Sequence, residues 1–234
     1  MSTSERSPRE TVRPQRRDAA LNRGRIFVAA RELFAEQGLE ASLADIAERA
    51  NVGLGTIYRN FKDKDDLVAS LLDEKLAVIA TIVDDVESLE TGWRAFCALV
   101  ERLIESFVAD RSLEEIMLSE EGHRYAREAL AHLAPGATRI MDRAKREDSL
   151  RHDIEFNDLP MILVMVKGSA QVGAPVDTEV WRRYLQIVLS GLATHAEQVE
   201  LDTPPLSDEQ LRVLSSIPPL RRIERLRPRR ATTA

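Results

Sequence analysis

The stretch that leaves this chain least freedom runs from Ser42 to Leu67, SLADIAERANVGLGTIYRNFKDKDDL. Ser42 is a helix-capping residue type, and Asp45 three positions on supplies the acidic partner of a capping box. Ile46, Ala47 and Ala50 then recur at helical spacing, and Ala47 has no bulk to hold a crossing helix away. The pattern breaks at Asn51-Val52-Gly53. Asn tolerates the left-handed conformation that ends a helix, Gly53 suits the start of the next, and Val52 is placed to plug the angle between them. A second helix, about Leu54 to Asn60, buries Ile57 and Phe61 and leaves Thr56, Tyr58 and Arg59 facing outward. Two short helices joined by a three-residue turn, with a polar, aromatic and cationic face on the second, predict a helix-turn-helix that offers its second helix to a DNA major groove.

The order of these residues carries a resemblance. The run IAERANVGLGTIYRNFKDKDDL, about a tenth of the chain, resembles the DNA-binding signature of the tetracycline-repressor (TetR) family. That signature has an Ile-Ala pair, a turn, a Gly-Thr-aliphatic-Tyr block, an aromatic and a Lys in that order. Here they are Ile46 and Ala47, the turn at Asn51 to Gly53, then Gly55, Thr56, Ile57, Tyr58, Phe61 and Lys64. Two positions depart from the pattern. Asn51 stands where Gly is usual and is compatible with the same backbone. Leu54 stands where Lys or Pro is common, which puts an apolar contact to a thymine methyl in place of a phosphate contact. The resemblance implies an all-α fold: an N-terminal three-helix helix-turn-helix DNA-binding domain followed by a larger helical ligand-binding and dimerisation domain.

On this surface Thr56 and Tyr58 are candidates for phosphate or base-edge contacts, with Leu54 and Gly55 beside them. The alternative for Tyr58 is a ring packed under its helix with only the hydroxyl reaching the DNA backbone. Arg59 is a candidate for guanine or phosphate, Lys64 for the backbone at the start of the following helix, and Ser42 for phosphate through its hydroxyl. Arg23 and Arg25 are candidates for phosphate from a bracing helix between Ala19 and Gln37, whose expected apolar face is Leu21, Ile26, Val28, Ala29, Leu33 and Phe34.

A net charge of −6 fits a DNA binder only once it is mapped along the chain. Residues 1–64 hold 12 Lys and Arg against 9 Asp and Glu, residues 65–218 hold 15 against 29, and residues 219–234 hold 6 against 1. A basic reading head on an acidic body concentrates phosphate affinity where it is useful and discourages coating of the duplex. The expected organisation is a disordered basic arm over residues 1–18, the helix-turn-helix domain over 19–64, a regulatory and dimerisation domain over 65–200, and a Pro- and Arg-rich tail over 201–234. Whether that tail meets DNA, another anionic partner or only solvent stays open. No apolar run approaches the roughly 20 residues that cross a bilayer, and no signal-peptide core follows the N-terminus, so a cytoplasmic protein without membrane contact is expected.

In the body, helices are expected at Lys64 to about Leu89, Gly92 to Ala109, Leu113 to Ser119, His123 to Leu133, Pro135 to Arg146, Leu159 to Val172, and from a cap at Asp177 to about Glu200. Residues 148–157 read as a loop. The closing pair of helices is apolar enough to need a partner surface, which predicts a homodimer packed as a four-helix bundle through Gly168, Trp181, Leu185, Val188 and Leu192. The alternative is that these helices form only the protomer's core. The resemblance implies a ligand cavity, and a small apolar ligand is the candidate partner. Its wall candidates are Trp93, Phe96, Cys97, Val100 and Phe107 on one helix, with Met117, Tyr125, Met141, Met161 and Met165 elsewhere; each is equally a core residue type. No cofactor and no metal are expected. The single cysteine, Cys97, excludes a disulfide framework, and the four histidines show no HxxxH or HExxH spacing. The expected function is a sequence-specific transcriptional regulator, with repression the default because a dimer on a promoter excludes polymerase. The rival class is a non-specific architectural DNA binder.

Overall fold

The structure, a computed structural model, describes residues 12–110, 116 and 120–215. Among these the chain forms α1 (Val12–Gln37), α2 (Leu43–Arg49), α3 (Leu54–Asn60), α4 (Lys64–Glu87), α5 (Gly92–Val108), α6 (Glu120–Arg146), α7 (Leu159–Gly173), α8 (Trp181–Leu192) and α9 (Asp208–Ser215). The chain divides into two compact units, and the division falls inside α4, between Leu71 and Leu72.

In the first unit α1 packs on α2, and α2 on α3. The core takes Ile26, Phe27, Ala29, Ala30, Leu33 and Phe34 from α1, Ile46, Ala47 and Ala50 around α2, and Ile57 and Phe61 around α3. Leu21 and Val28 are exposed rather than buried. The stripe that fits a 3.6-residue period through Ile26 is 26, 29, 30, 33 and 34, and Val28 lies on its far side. Helix α1 also begins at Val12, so residues 12–18 are helical and not a disordered arm. Residues 1–11 lie outside the described residues.

The second unit is built on α5, whose Ala95, Phe96, Leu99, Val100, Leu103 and Ile104 are all buried. Helices α6 and α7 pack against α5, α8 packs against α7, and α9 packs against α6. Two glycines set the spacing. A Cβ on Gly92 would stand 2.4 Å from the backbone nitrogen of Ala144, and one on Gly136 would stand 2.1 Å from Cγ1 of Val83. Helix α6 runs unbroken through Pro135, where two separate helices were expected. The proline leaves the carbonyl of Ala131 without its N–H donor, but both residues are exposed, so water can take its place.

Helix α8 ends at Leu192, not near Glu200. Ala193 turns extended and bridges Leu150. The Arg151 amide donates to the Leu192 carbonyl at 3.0 Å, and the Thr194 amide to the Ser149 carbonyl at 3.2 Å. The chain then crosses the body as a strap. Asp153 accepts from the Leu201 amide at 2.8 Å, and the Arg151 guanidinium donates to the Val199 carbonyl at 2.8 Å. Beyond it, Asn157 donates to the Leu206 carbonyl and to the Asp208 carboxylate, both at 2.9 Å, and Leu211 of α9 is buried. Residues 201–215 are thus seated on the body and are not a free tail; residues 216–234, with the Arg-rich end, lie outside the described residues. No helix among the described residues is long and apolar enough to cross a membrane.

Candidate nucleic-acid interface

Local chemistry fixes each joint of the first unit. The Ser42 hydroxyl accepts from the Asp45 amide at 3.2 Å, and the Asp45 carboxylate accepts from the Ser42 amide at 3.0 Å and from its hydroxyl at 2.7 Å. This reciprocal box starts α2, and the Ser42 hydrogen bonds hold the Asp45 carboxyl below its usual range. The far end closes as a Schellman motif. Asn51 adopts φ 52, its amide donates to the Glu48 carbonyl, and the Val52 amide donates to the Ala47 carbonyl, both at 3.0 Å. The three-residue turn therefore has one geometry. Arg49 ties α2 to α1 through Glu32 at 3.2 Å and Glu36 at 3.0 Å.

Helix α3 buries Ile57 and turns its other sides outward. Leu54 is 41% exposed and Tyr58 57% exposed, with Gly55 and Arg59 exposed between them and Thr56 half-buried. Nothing lies within 4 Å of where a Gly55 Cβ would be, so the helix is bare there. Arg59 lies back along the helix, its Nε donating to the Gly55 carbonyl at 3.1 Å and its Nη2 to the Thr56 hydroxyl at 3.0 Å. Asn60 donates to the Thr56 carbonyl at 2.7 Å.

Leu54, Gly55, Thr56, Tyr58 and Arg59 thus share one helix surface, and Arg25 is exposed on α1. Tyr58 stands free, against the alternative of a ring packed under the helix. Ser42 and Lys64 are placed otherwise than expected. The Ser42 hydroxyl is consumed by the capping box beside a carboxylate that repels phosphate, and the Lys64 ammonium donates to the Leu39 carbonyl. Arg23, grouped with Arg25 by its sequence position, instead lies 4.9 Å from the ring centroids of both Phe27 and Phe61 and packs the head. Lys62, missed in the sequence, is the open cation of the α3–α4 turn, with 87% of its side chain exposed and a 3.9 Å pair to Asp63. Its position just past Phe61 was the available signal.

In the second unit the expected ligand wall separates. Phe96, Val100, Tyr125 and Met141 are buried; Trp93, Cys97 and Phe107 are half-buried; Met117 lies outside the described residues. Met161 and Met165 are exposed, Met165 at 57%, so they line no interior. The buried stripe of α7 is Leu159, Ile162, Val166 and Ala170, which turns positions 161, 164, 165, 168 and 172 outward. On α8 the reverse holds. Trp181, Leu185 and Leu192 face the protomer's own core, with Trp181 only 2% exposed, while Tyr184 and Ile187 are exposed and Val188 is half-buried, as is Gly168 on α7. Periodicity found both stripes but could not say which one faces in. Burial, with Glu101 adding to it, pushes the Cys97 thiol up to about 11, away from redox reactivity. Among the described residues the buried Tyr125 hydroxyl has no hydrogen-bond partner, and burial raises its pKa, with the Asp110 carboxylate adding, so it stays a neutral donor.

A short exposed helix, held by a three-residue turn on a second helix and braced by a longer one, defines a helix-turn-helix domain followed by a helical body. The pattern of the bacterial regulatory proteins of the tetR family matches residues 26–71, and that of the SbtR-like transcriptional regulator C-terminal domain matches residues 93–194. The chain belongs to the TetR family of bacterial transcriptional regulators. An HTH-type transcriptional regulator of Staphylococcus aureus (strain USA300) is 42% identical over 78 residues, 31% of this chain and 42% of that protein's length. The chain therefore matches less than half of that relative. Among solved structures, a TetR transcriptional regulator from Streptomyces coelicolor is 28% identical with a TM-score of 0.56, covering 74% of this chain and 99% of that one. The transcriptional regulator FadR from Bacillus subtilis, in complex with stearoyl-CoA, shares the fold at 20% identity and a TM-score of 0.59, over 72% and 98% of the two chains. A gamma-butyrolactone receptor does so at 21% and 0.62, over 75% and 90%.

Proposed function

We propose that this protein is a cytoplasmic, homodimeric, sequence-specific DNA-binding repressor that leaves its operator when a small ligand enters the body. The observation that carries the DNA-binding role is the outward face of α3, with Leu54, Gly55, Tyr58 and Arg59 held on a turn of fixed geometry. One such face makes too few contacts for useful selectivity. Pairing two by symmetry doubles them and requires half-sites roughly 34 to 36 Å apart, or a multiple, so the operator is near-palindromic. The exposed apolar stripe of α7 (Met161, Val164, Met165) beside Tyr184 and Ile187 of α8 supports a two-fold interface there, with Gly168 and Val188 at its edge.

The ligand role has separate support. The Tyr125 hydroxyl is a buried donor with no acceptor among the described residues, and a ligand oxygen would satisfy it. The ligand acts only through its preference for the conformation that does not fit DNA; hundredfold relief of repression needs about 2.7 kcal/mol of that preference. Binding purified protein to sheared genomic DNA and sequencing what is retained tests the proposal. The expected result is a small set of fragments sharing an inverted repeat; retention of fragments without a shared sequence would favour the architectural class and refute the repressor.

A further inference from the structure

Resting on that DNA-binding role, the geometry points to guanine as the base read by α3, through Arg59 held in position by Thr56. Arginine has five N–H donors in a fixed fork. Two are engaged within the protein: Nε to the Gly55 carbonyl and one hydrogen of Nη2 to the Thr56 hydroxyl. Both bonds use the side edge of the guanidinium. Both hydrogens of Nη1 and one of Nη2 remain; one from each nitrogen forms the end edge, the pair that meets two acceptors at once. Arg59 therefore does not have to leave its resting place to present a fork.

The chemistry of the face disfavours adenine and cytosine, and thymine offers the fork a single acceptor. The Thr56 oxygen already accepts from Arg59, so its own hydrogen is left to donate. Leu54 offers no polar group, and the Asn60 amide group is turned back to the Thr56 carbonyl. The centre of the face is thus a donor surface. In the major groove only guanine shows two adjacent acceptors, N7 and O6; adenine sets a donor beside its acceptor, and cytosine shows a donor alone. A donor fork meets a like group on either of these. Thr56 is a positioning residue here. Without its hydroxyl the guanidinium loses one of two supports and must be ordered by the DNA itself.

The test uses the full-length protein and the duplex it selects, with each half-site guanine replaced in turn by 7-deazaguanine, which lacks N7, or by inosine, which keeps N7 and O6. We expect 7-deazaguanine at one position per half-site to weaken binding at least fivefold and inosine there to leave it unchanged. Arg59→Lys keeps the charge but loses the fork, and should bind guanine and 7-deazaguanine sites alike with an unaltered salt dependence. Thr56→Val should lose most of the same discrimination, and Thr56→Ser should restore it, all with wild-type circular dichroism melts. Specific binding that ignores N7 at every guanine, or full discrimination in Arg59→Lys, would overturn the inference while leaving the regulator intact. Full discrimination in Thr56→Val would overturn the role of Thr56. A protein that prefers no duplex at all would overturn both the inference and the proposed function.

Discussion

The two units close their helix ends by different means. In the first, the partner sits a few residues away: Ser42 with Asp45, Asn51 with Glu48, and Asp63 with the Asp66 amide at 2.9 Å. In the second, local caps such as Thr91 and Ser207 are joined by partners from across the chain. The Gly92 amide donates to the Glu147 carboxylate at 2.7 Å, and Arg143 donates to the carbonyls of Glu87, Leu89 and Thr91 at 3.1, 3.0 and 3.0 Å. Locally closed helices hold their shape without help from distant segments, which suits a surface that must keep its geometry when it meets DNA. Helices closed at a distance loosen together, which suits the proposed role of the body as a ligand-responsive unit.

Substitutions separate the two regimes, and the largest effect falls in the body. Gly92→Ala forces a Cβ against the Ala144 backbone and should cost about 3 kcal/mol in urea unfolding. Gly55→Ala, where nothing is within reach, should leave stability unchanged or raise it by about 0.5 to 1 kcal/mol while weakening DNA binding. Equal losses of stability would erase the contrast. Next comes the strap. The Arg151 guanidinium holds the Asp153 carboxyl well below the usual carboxylate range, with the Leu201 amide adding to it. A lowered folded pKa contributes stability that is complete above the unfolded value, about 4, and is lost as the pH falls below it. Asp153→Asn should cost about 2 kcal/mol at pH 7 and flatten the acid limb of a stability profile. An unchanged acid limb would show that the strap is not held by this charge.

Smaller effects sharpen the picture. Asn51→Val should cost about 1 to 2 kcal/mol, because a β-branched residue resists φ 52, whereas Asn51→Gly should be neutral or stabilising in the same melt. With the thiol pushed up from 9.0 to about 11, Cys97 should label with iodoacetamide at neutral pH at roughly a hundredth of the rate of an unperturbed cysteine, rising only in strong alkali. Rapid labelling of folded protein at pH 7 would mean that α5 opens there.

The same contrast explains what was legible in the residues. Every boundary of the helix-turn-helix follows from a side chain within four positions of it, so Ser42, Asn51 and Gly53 announced the joints and Ile57 and Phe61 the buried side. The body concealed more. Leu192 ends α8 because Ala193 bridges Leu150 and the Leu192 carbonyl accepts from the Arg151 amide, a contact between distant segments. Pro135 passes for a helix start unless it is known that the carbonyl behind it faces solvent. On α7 and α8 the inner and outer stripes are both apolar, so Met165 and Trp181 each look suited to either place; only the packing of α7 against α5 and of α8 against α7 decides. In the candidate site, Ser42 and Lys64 have residue types suited to phosphate but are engaged by the Asp45 amide and carboxylate and by the Leu39 carbonyl, and the support of Arg59 by Thr56 depends on one rotamer.

The most direct test is competition between the selected operator and random duplex for the purified protein at physiological salt. Binding to the operator at least a thousandfold tighter than to random sequence, with two protomers on each operator, is the expected result. A ratio near one, from protein whose helical content is intact, would contradict it.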